Sequence, residues 1–323
     1  MTGAPTPAIS CRSLTKRYSD VLALDHLTLD VPAGSIFGFL GPNGAGKTTT
    51  LRLLTGLAFA TEGSATVAGM DIATSGTRLR GRIGFLDQSP QYYGWMRGRE
   101  LLAFVGELFG LRGATLRGRV DEVLALVGLT DAANRRIGAY SGGMRQRLGL
   151  AQALINRPEV LFLDEPVNSL DPAGRHDILD VIAGLRGQAT VFMSSHILAD
   201  VERVCDTVAI INQGRLIVSS SVAELQERYA QPIFTLEPEP GQEARVQLMI
   251  GVLREAPWAG EVVRDHGAIR VVARDPATAS RDILGLLAAH EIELQRFERG
   301  RPSLEDIFLR LVGSQQPEKA TPP

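Results

Sequence analysis

One stretch of this 323-residue chain decides its fold, and it reads Gly41-Pro42-Asn43-Gly44-Ala45-Gly46-Lys47-Thr48. It matches the pattern G-x-x-x-x-G-K-[ST]. A buried strand is predicted just before it, over residues 35–40, and a helix just after it, over residues 47–57, where leucines recur at helical spacing. Glycines let backbone N–H groups turn towards phosphate oxygens, and the N-terminus of the helix adds a positive dipole. The stretch, with Thr49 after it, therefore predicts a site for the phosphates of a nucleotide.

Lys47 and Thr48 carry the reactive side chains of this loop. We expect Lys47 to neutralise the β and γ phosphates and Thr48 to offer its hydroxyl to Mg²⁺, which prefers oxygen ligands. Only three of the 34 basic residues are lysines, and the others are arginines. A flexible structural turn would accept arginine at position 47, whereas a phosphate loop suits a compact ammonium. The lysine therefore favours the nucleotide site over the turn.

A second pattern places two carboxylates at the end of an apolar strand, over residues 160–166 with the sequence VLFLDEP. Ligands bind beyond the carboxyl ends of strands in a parallel sheet. Asp164 is predicted to hold Mg²⁺ directly or through water, and Glu165 to orient or deprotonate an attacking water. Alone, the pattern could equally be a strand before an acidic turn. The phosphate loop in the same chain favours the catalytic interpretation.

Between these two patterns lies AYSGGMRQR, over residues 139–147. It resembles the signature motif of ABC ATPases, usually written LSGGQ, although Met144 replaces the glutamine and Tyr140 the leucine. Ser141, Gly142 and Gly143 are predicted to cap a helix that starts near Met144, with exposed N–H groups and a hydroxyl that face an anion. An ordinary serine N-cap is the alternative, so the order and spacing of the motifs carry the resemblance.

Four further positions match the family in order, and the resemblance covers residues 8–229. It implies that Tyr18 stacks on adenine, although an aromatic residue packed near a strand end is an alternative. It implies that Gln88 is the Q-loop glutamine, which reaches the metal and the reacting phosphate. Residues 169–172 resemble the D-loop, with Asp171 as its acidic residue, and His196 resembles the switch histidine that contacts the γ-phosphate.

The resemblance also implies the cofactors and partners. ATP with Mg²⁺ would lie between two subunits, so that residues 141–143 of one chain face residues 41–48 of an identical or related partner. A separately encoded transmembrane permease would dock near the stretch after Gln88. Tyr92, Tyr93 and Trp95 lie there, and they could anchor that interface or pack inside the protein.

The predicted fold class is α/β. Residues 1–230 are expected to form an ABC-type ATP-binding domain: a P-loop NTPase core with a parallel sheet, an antiparallel β subdomain and a helical subdomain inserted at about residues 89–157. Helical runs over residues 100–109, 116–127 and 144–155 support that insertion.

Residues 231–313 are expected to form a small α+β accessory domain of ferredoxin-like type, because strand and helix patterns alternate as a repeated split β-α-β unit. The order is strand 233–237, helix 243–255, strand 259–264, strand 268–273 after a turn at residues 265–267, helix 276–289 and strand 292–297. A last helix begins at Pro302-Ser303, where Ser303 and Asp306 have capping-box spacing. Residues 314–323 are predicted to be disordered.

The end of this segment, residues 301–311, resembles the accessory domain of drug-resistance ABC exporters. The resemblance implies export, and we expect the domain to serve dimerisation or regulation.

Composition narrows the location and the partners. The net charge is −2 and the basic residues are scattered, so nucleic acid, which a basic stripe would recognise, is not an expected partner. Apolar runs are too short to cross a bilayer, and the N-terminus lacks signal-peptide features. We expect a cytoplasmic protein, and the resemblance to transporter ATPases implies that it is peripheral on the cytoplasmic face of the cell membrane. Cys11 and Cys205 lack metal-ligand spacing and are predicted to be buried or inert thiols.

Two other functions compete with a transporter subunit. A soluble ABC ATPase of DNA maintenance or the ribosome would usually show a long coiled coil between the motifs or two tandem ATPase domains, but here Lys47 and Asp164 are closely spaced and each motif occurs once. A nucleotide-binding regulator without turnover would not need Glu165 and His196.

Overall fold

The computed structural model describes residues 6–168, 170–229, 233–265, 267–300 and 303–313. They form two compact units, and the division falls between Val222 and Ala223. Ser169 of the predicted D-loop, His266 of the predicted turn, Pro302 at the predicted helix start and the predicted disordered tail at residues 314–323 lie outside the described residues.

The described residues of the first unit form two sheets. Its strands are β1 (Ile9–Tyr18), β2 (Val21–Val31), β3 (Ile36–Leu40), β4 (Glu62–Val67), β5 (Met70–Asp71), β6 (Ile83–Leu86), β7 (Val160–Asp164), β8 (Thr190–Ser195), β9 (Thr207–Asn212) and β10 (Arg215–Ser221). Its helices are α1 (Lys47–Leu54), α2 (Gly76–Arg80), α3 (Gly98–Leu108), α4 (Gly113–Leu126), α5 (Gly142–Leu154), α6 (Pro172–Gly184) and α7 (Leu198–Val204), and α8 (Val222–Arg228) begins where the unit ends.

The larger sheet brings the predicted motifs together. Its strand order is β10-β9-β3-β8-β7-β6, and all neighbours except the β9-β10 hairpin run parallel. Every residue of β3, β7 and β8 is buried, as expected for central strands of a parallel sheet. Because β8 lies between β3 and β7, the three carboxyl ends, which precede the phosphate loop, Glu165 and His196, lie at one edge.

The smaller sheet has the strand order β2-β1-β4-β5 and is antiparallel. Both sheets contribute to one apolar core. The ring of Phe192 lies at its centre, with centroid distances of 5.5 Å to Phe37, 5.2 Å to Phe39 and 5.8 Å to Phe162. This packing fixes the strands whose ends carry the motifs.

The inserted helical segment is confirmed as α3, α4 and α5, and no strand interrupts it among the described residues from position 89 to 157. Ser141 is the N-cap of α5, and its Oγ accepts the Met144 N–H at 3.2 Å. The predicted cap is therefore correct.

The helix after the phosphate loop is shorter than predicted and ends at Leu54 rather than at position 57. Gly56 takes φ 71°, and its N–H donates to the Leu53 carbonyl while the Leu57 N–H donates to the Arg52 carbonyl. These two bonds form a Schellman motif, which closes the helix at a left-handed glycine. Helical spacing of leucines alone cannot reveal that end.

The second unit has the predicted alternation of strands and helices. It contains β11 (Ile233–Pro238), α9 (Glu243–Glu255), β12 (Ala259–Asp265), β13 (Ala268–Ala273), α10 (Pro276–Ala289), β14 (Leu294–Gly300) and α11 (Leu304–Gly313). The sheet order is β12-β13-β11-β14, antiparallel throughout, as in a ferredoxin-like fold. The unit has its own core around Trp258 and Phe234.

Two details of this unit test the sequence predictions. The capping box is confirmed, because the Ser303 N–H donates to Asp306 Oδ2 at 2.8 Å and the Asp306 N–H to Ser303 Oγ at 3.3 Å. The last strand was predicted to start at position 292 but starts at Leu294. Ile292 instead closes α10, since its N–H donates to the Leu287 carbonyl, and its buried side chain imitates a strand residue in the sequence.

Both cysteines are free and buried, as predicted. Burial raises the pKa of the Cys11 thiol to about 12 and also raises that of Cys205. No helix among the described residues combines the length and the apolar character that spanning a membrane requires.

Candidate active site

The phosphate loop leaves β3 and enters α1 through closely packed glycines. Gly46 is the N-cap of α1 with φ 107°, and a Cβ there would lie 2.6 Å from the Ala23 carbonyl oxygen of β2. A Cβ at Gly41 would lie 2.4 Å from the Ile211 carbonyl oxygen of β9. Both positions therefore require glycine, since any side chain would push the loop away from its neighbouring strands.

A cavity of about 550 Å³ opens over this loop. Its lining contains all predicted loop residues from Pro42 to Thr49, together with Gln88 and Glu165. It also contains four residues that sequence reasoning missed: Val21, Leu22, Ala23 and Gln213. The first three are the first residues of β2, and Gln213 lies in the β9-β10 turn. Only the packing of the sheets brings these residues to the loop.

Lys47 lies in the wall between the loop and the acidic residues, and only 7% of it is exposed. Its Nζ donates to the Gly41 carbonyl at 2.7 Å and lies 3.5 Å from Glu165 Oε1. An ammonium with three donors can keep one loop contact and turn the others towards an anion in the cavity.

Glu165 links this lysine to the switch histidine. His196 Nδ1 lies 2.5 Å from Glu165 Oε2. The carboxylate is buried, whereas 41% of the His196 side chain is exposed. Glu165 also has a positive φ of 51°, a backbone conformation that non-glycine residues adopt rarely and that is frequent at functional sites. Glu165 and His196, each predicted from the sequence as a site residue, are therefore in direct contact.

Asp164 lies at the end of β7 and is 1% exposed. Its burial raises its pKa, while hydrogen bonds from Ser194 and Thr48 act in the opposite direction. The Ser194 hydroxyl donates to Asp164 Oδ1 at 2.6 Å. The sequence analysis gave Ser194 no role; a hydroxyl at the carboxyl end of a parallel strand, two residues before His196, was the available signal.

The donors at this point suit Mg²⁺. Thr48 and Gln88 line the same cavity, and the Thr48 hydroxyl lies close enough to Asp164 to lower its pKa, so a hydroxyl, an amide and a carboxylate lie in one region. The described residues contain no group of three or more His, Cys, Asp or Glu side chains arranged as a metal site. A single buried carboxylate with neutral oxygen donors fits an ion that takes its remaining ligands from phosphates and water.

Tyr18 is not part of the cavity lining. It lies at the end of β1 with 42% of its surface exposed, and Lys16 Nζ lies 4.7 Å from its ring centroid. The Lys16 ammonium therefore lies over one face of the Tyr18 ring, and Tyr18 lies at the protein surface.

The signature residues 141–143 and Asp171 also lie outside the cavity lining. Asp171 is the N-cap of α6, where it accepts the Gly174 N–H at 3.0 Å. A Cβ at Gly143 would lie 2.9 Å from Leu170 Cδ2. The signature residues are thus neighbours of the described part of the D-loop. Neither lines the cavity over the phosphate loop of the same chain.

Comparison with known proteins agrees with this geometry. The ABC transporter family profile matches residues 24–168, and the profile of the DrrA1-3-like ATP-binding protein C-terminal domain matches residues 221–312. The uncharacterized ABC transporter ATP-binding protein YxlF of Bacillus subtilis is 38% identical over 304 residues, which cover 94% of this chain and 99% of that protein. This chain belongs to the ABC transporter ATP-binding proteins. It is an ABC-type ATPase, and nucleotide binding is the property shared by its family.

Two further relatives are named for drug resistance or for transport. The daunorubicin/doxorubicin resistance ATP-binding protein DrrA of Streptomyces peucetius is 34% identical to this chain. The aligned region covers 99% of this chain and 97% of DrrA. The bacitracin transport ATP-binding protein BcrA of Bacillus licheniformis is 35% identical, with coverages of 94% and 97%.

Solved structures show the same fold for the ATP-binding part. An ATP-binding subunit of an ABC transporter has a TM-score of 0.64 at 26% identity, covering 69% of this chain and 93% of that chain. A dimeric ATP-binding cassette in a post-hydrolysis state with ADP and Pi has a TM-score of 0.62 at 24% identity, covering 66% and 98%. The predicted α/β P-loop fold is therefore confirmed.

Proposed function

We propose that this ABC ATPase is the motor subunit of an exporter: it pairs with a second ATPase subunit, binds two ATP molecules between the subunits and drives a separately encoded permease at the cytoplasmic face of the membrane. The observation that carries the proposal is the contact of Glu165 with both Lys47 and His196 beside the cavity over the phosphate loop.

Each residue of this group has a role in the proposed hydrolysis. Lys47 and the loop N–H groups hold the β and γ phosphates. Glu165 orients a water molecule and accepts its proton as the water oxygen bonds to the γ phosphorus and the bond to the β–γ bridging oxygen breaks, releasing ADP and inorganic phosphate. His196 fixes the Glu165 carboxylate through its Nδ1 contact.

Thr48, Asp164 and Gln88 are the residues that we propose hold Mg²⁺. When bound, the ion supplies positive charge at the β and γ phosphates. Asp164 suits this role because it is a buried carboxylate at the edge of the sheet where the phosphate loop begins.

The second subunit enters the proposal through residues 141–143. Their glycines and the N-terminus of α5 form an anion-binding end, yet they do not line the phosphate-loop cavity of their own chain. A partner's nucleotide would satisfy them, which supports a sandwich dimer, with an identical or a related chain.

The permease contact is proposed at the aromatic pair of Tyr93 and Trp95. These side chains are 67% and 69% exposed, and their ring centroids are 5.9 Å apart, whereas Tyr92 is half-buried. Exposed paired aromatics suit an interface anchor. Trp95→Ala should weaken co-purification with the permease, and Leu248→Ala, which removes an equally exposed apolar side chain from α9, should not. Unchanged co-purification of Trp95→Ala would exclude this surface.

The export direction rests on the second unit. Its family profile and the names of the resistance relatives support a drug-resistance type of exporter. We propose residues 231–313 as an accessory domain for dimerisation or regulation. A chain that stops at residue 230 should lose the coupling between ATPase activity and transport; full coupling in that chain would refute the assignment.

Glu165→Gln tests the catalytic proposal directly. The amide keeps the shape of the side chain but cannot accept the proton, so we expect retained ATP binding, hydrolysis lowered by about 10²-fold or more, and a dimer that persists with ATP in size-exclusion chromatography. Turnover like that of the unchanged protein would remove Glu165 from this role.

A further inference from the structure

Ser194 joins the two acidic residues of the site. Its hydroxyl donates to Asp164 Oδ1 at 2.6 Å and accepts the Glu165 backbone N–H at 3.0 Å. The residue is fully buried. A hydroxyl has one hydrogen and two lone pairs, so both bonds form at the same time.

The sheet explains why a residue 30 positions away makes these contacts. Ser194 is the register partner of Asp164 between β7 and β8, and of Phe39 between β8 and β3. Ser194 therefore lies on β8, between β3, which leads into the phosphate loop, and β7, which ends at Asp164.

We infer that Ser194 is a positioning residue of the ATPase site, which fixes the direction of the Asp164 carboxylate and the left-handed backbone of Glu165 through one hydroxyl. This inference rests on the roles proposed above for Asp164 and Glu165.

The first bond affects Asp164. Because Oδ1 accepts from Ser194, the carboxylate has a fixed plane, and Oδ2 can be directed at Thr48 and a cation. Without the hydroxyl, a carboxylate that is 1% exposed would lose a donor and would rotate to find another.

The second bond affects Glu165. Its φ of 51° is costly for a side chain with a Cβ, and its N–H is held by the Ser194 hydroxyl at 3.0 Å and by the Ser194 carbonyl at 3.3 Å. This conformation points the carboxylate at Lys47 and His196. Removing the hydroxyl leaves only the longer bond, so the Glu165 side chain becomes less well aligned with the attacking water.

Thr190 supplies a matched control on the same strand. Its buried hydroxyl accepts the Gly34 N–H at 2.9 Å at the opposite end of β8. Thr190→Val removes a buried hydrogen bond from β8 without touching the site, and Ser194→Thr keeps a hydroxyl at the site.

The experiment compares these three full-length variants with the unchanged protein. Equilibrium binding of a fluorescent ATP analogue is measured with EDTA and with Mg²⁺, Mn²⁺ binding in the presence of nucleotide by electron paramagnetic resonance, and kcat and KM for ATP separately. Unfolding temperatures show that each variant is folded.

For Ser194→Ala we expect nearly unchanged binding in EDTA, metal affinity lowered by about tenfold and kcat by about 10-fold to 100-fold, with KM little altered. Thr190→Val should lower only the unfolding temperature, and Ser194→Thr should restore metal affinity and kcat. Ser194→Ala with normal metal affinity and kcat would overturn the inference, as would the same losses in Thr190→Val or a folded Ser194→Thr that behaves like Ser194→Ala. An unchanged protein without ATPase activity would instead refute the proposed function.

Discussion

Lys47 lies between a loop carbonyl and a carboxylate, in a wall that leaves it 7% exposed. The planar guanidinium of arginine is larger and cannot replace a point charge in this space. Lys47→Arg should therefore weaken binding of a fluorescent ATP analogue by about tenfold or more, although the charge is kept. Lys16→Arg, at the half-buried lysine over Tyr18, is the control and should bind normally. Equal binding by both variants would contradict this account of the loop.

Two glycines of the loop differ in what surrounds them. Both have positive φ, 107° at Gly46 and 79° at Gly44, but a Cβ would meet the Ala23 carbonyl oxygen only at Gly46. Gly44→Ala should cost about 1 to 2 kcal/mol of backbone strain, and Gly46→Ala should cost more and also lower ATP affinity. Thermal unfolding and nucleotide binding of the two variants measure the difference. An unfolding temperature of Gly46→Ala at or above that of Gly44→Ala would count against the close packing.

Among single residues, the sequence predicted those whose role can be inferred from a short pattern around them. Lys47, Thr48 and Glu165 belong to short patterns with a direct chemical meaning, and His196 follows from the family resemblance. Ser194 could not be ranked in this way, because its contacts depend on which strand lies between β3 and β7. The lining residues Val21 and Gln213 depend in the same way on sheet packing.

Among the helices, α10 has a strong N-cap that responds to pH. The Asp275 carboxylate accepts the side-chain hydroxyl of Thr278 and the backbone N–H groups of Thr278 and Ala277. These bonds, of which the one from the Thr278 side chain matters most, hold the pKa of Asp275 below its usual value. A carboxylate with a lower pKa in the folded state stabilises the protein above its unfolded-state pKa, and this stabilisation is lost as the pH falls below about 4.

Asp275→Asn keeps an acceptor for the cap but cannot titrate. Its unfolding temperature should be below that of the unchanged protein at pH 7, and this difference should shrink as the pH falls below about 4. Circular dichroism melts of both proteins at pH 7, 4 and 3 measure the effect. A difference that is constant over this range would mean that the Asp275 charge contributes nothing.

Helix and strand interiors were predictable here, and their ends were less so. The limits of α9 and α10 match the prediction because their apolar spacing coincides with the ordered segment. The ends at Leu54 and at Leu294 differ from the prediction, because a Schellman motif places an apolar residue just outside the helix, and that residue continues the helical pattern or imitates the start of a strand.

The two units have separate apolar cores. Each unit also contains one of the two tryptophans of the chain. Trp95 is exposed in the first unit and Trp258 is 6% exposed in the second. We expect two thermal transitions. ATP with Mg²⁺ should raise only the transition of the first unit, by an amount set by ligand concentration relative to Kd, because the cavity over the phosphate loop, where we propose that ATP binds, is lined by residues of that unit.

Trp95→Phe makes this prediction measurable, since Trp258 then reports the second unit alone. Differential scanning calorimetry with and without ATP and Mg²⁺ gives both transitions, and the fluorescence of Trp258 assigns one of them. A Trp258 transition that shifts with ATP as much as the other would show that the units unfold together.

For the whole molecule, the sequence predicted the α/β class and the accessory fold, because the order of strand and helix patterns restricts the possible topologies. It did not predict that β8, rather than β7, is next to β3. Strand order depends on long-range packing, such as that of Phe192 between Phe37 and Phe162, which no local pattern records.

The position of β3 also has a consequence for synthesis. The neighbours of β3 in the sheet are β8 and β9, which begin at Thr190 and Thr207. Both strands are synthesised long after Leu40 has left the ribosome. Throughout that interval the apolar sequence Ile36–Leu40 has two unpaired edges, a state in which strands associate with other chains. We therefore expect the nascent protein to be most prone to association with other chains while the first half of its sequence is complete and the second half is still being made.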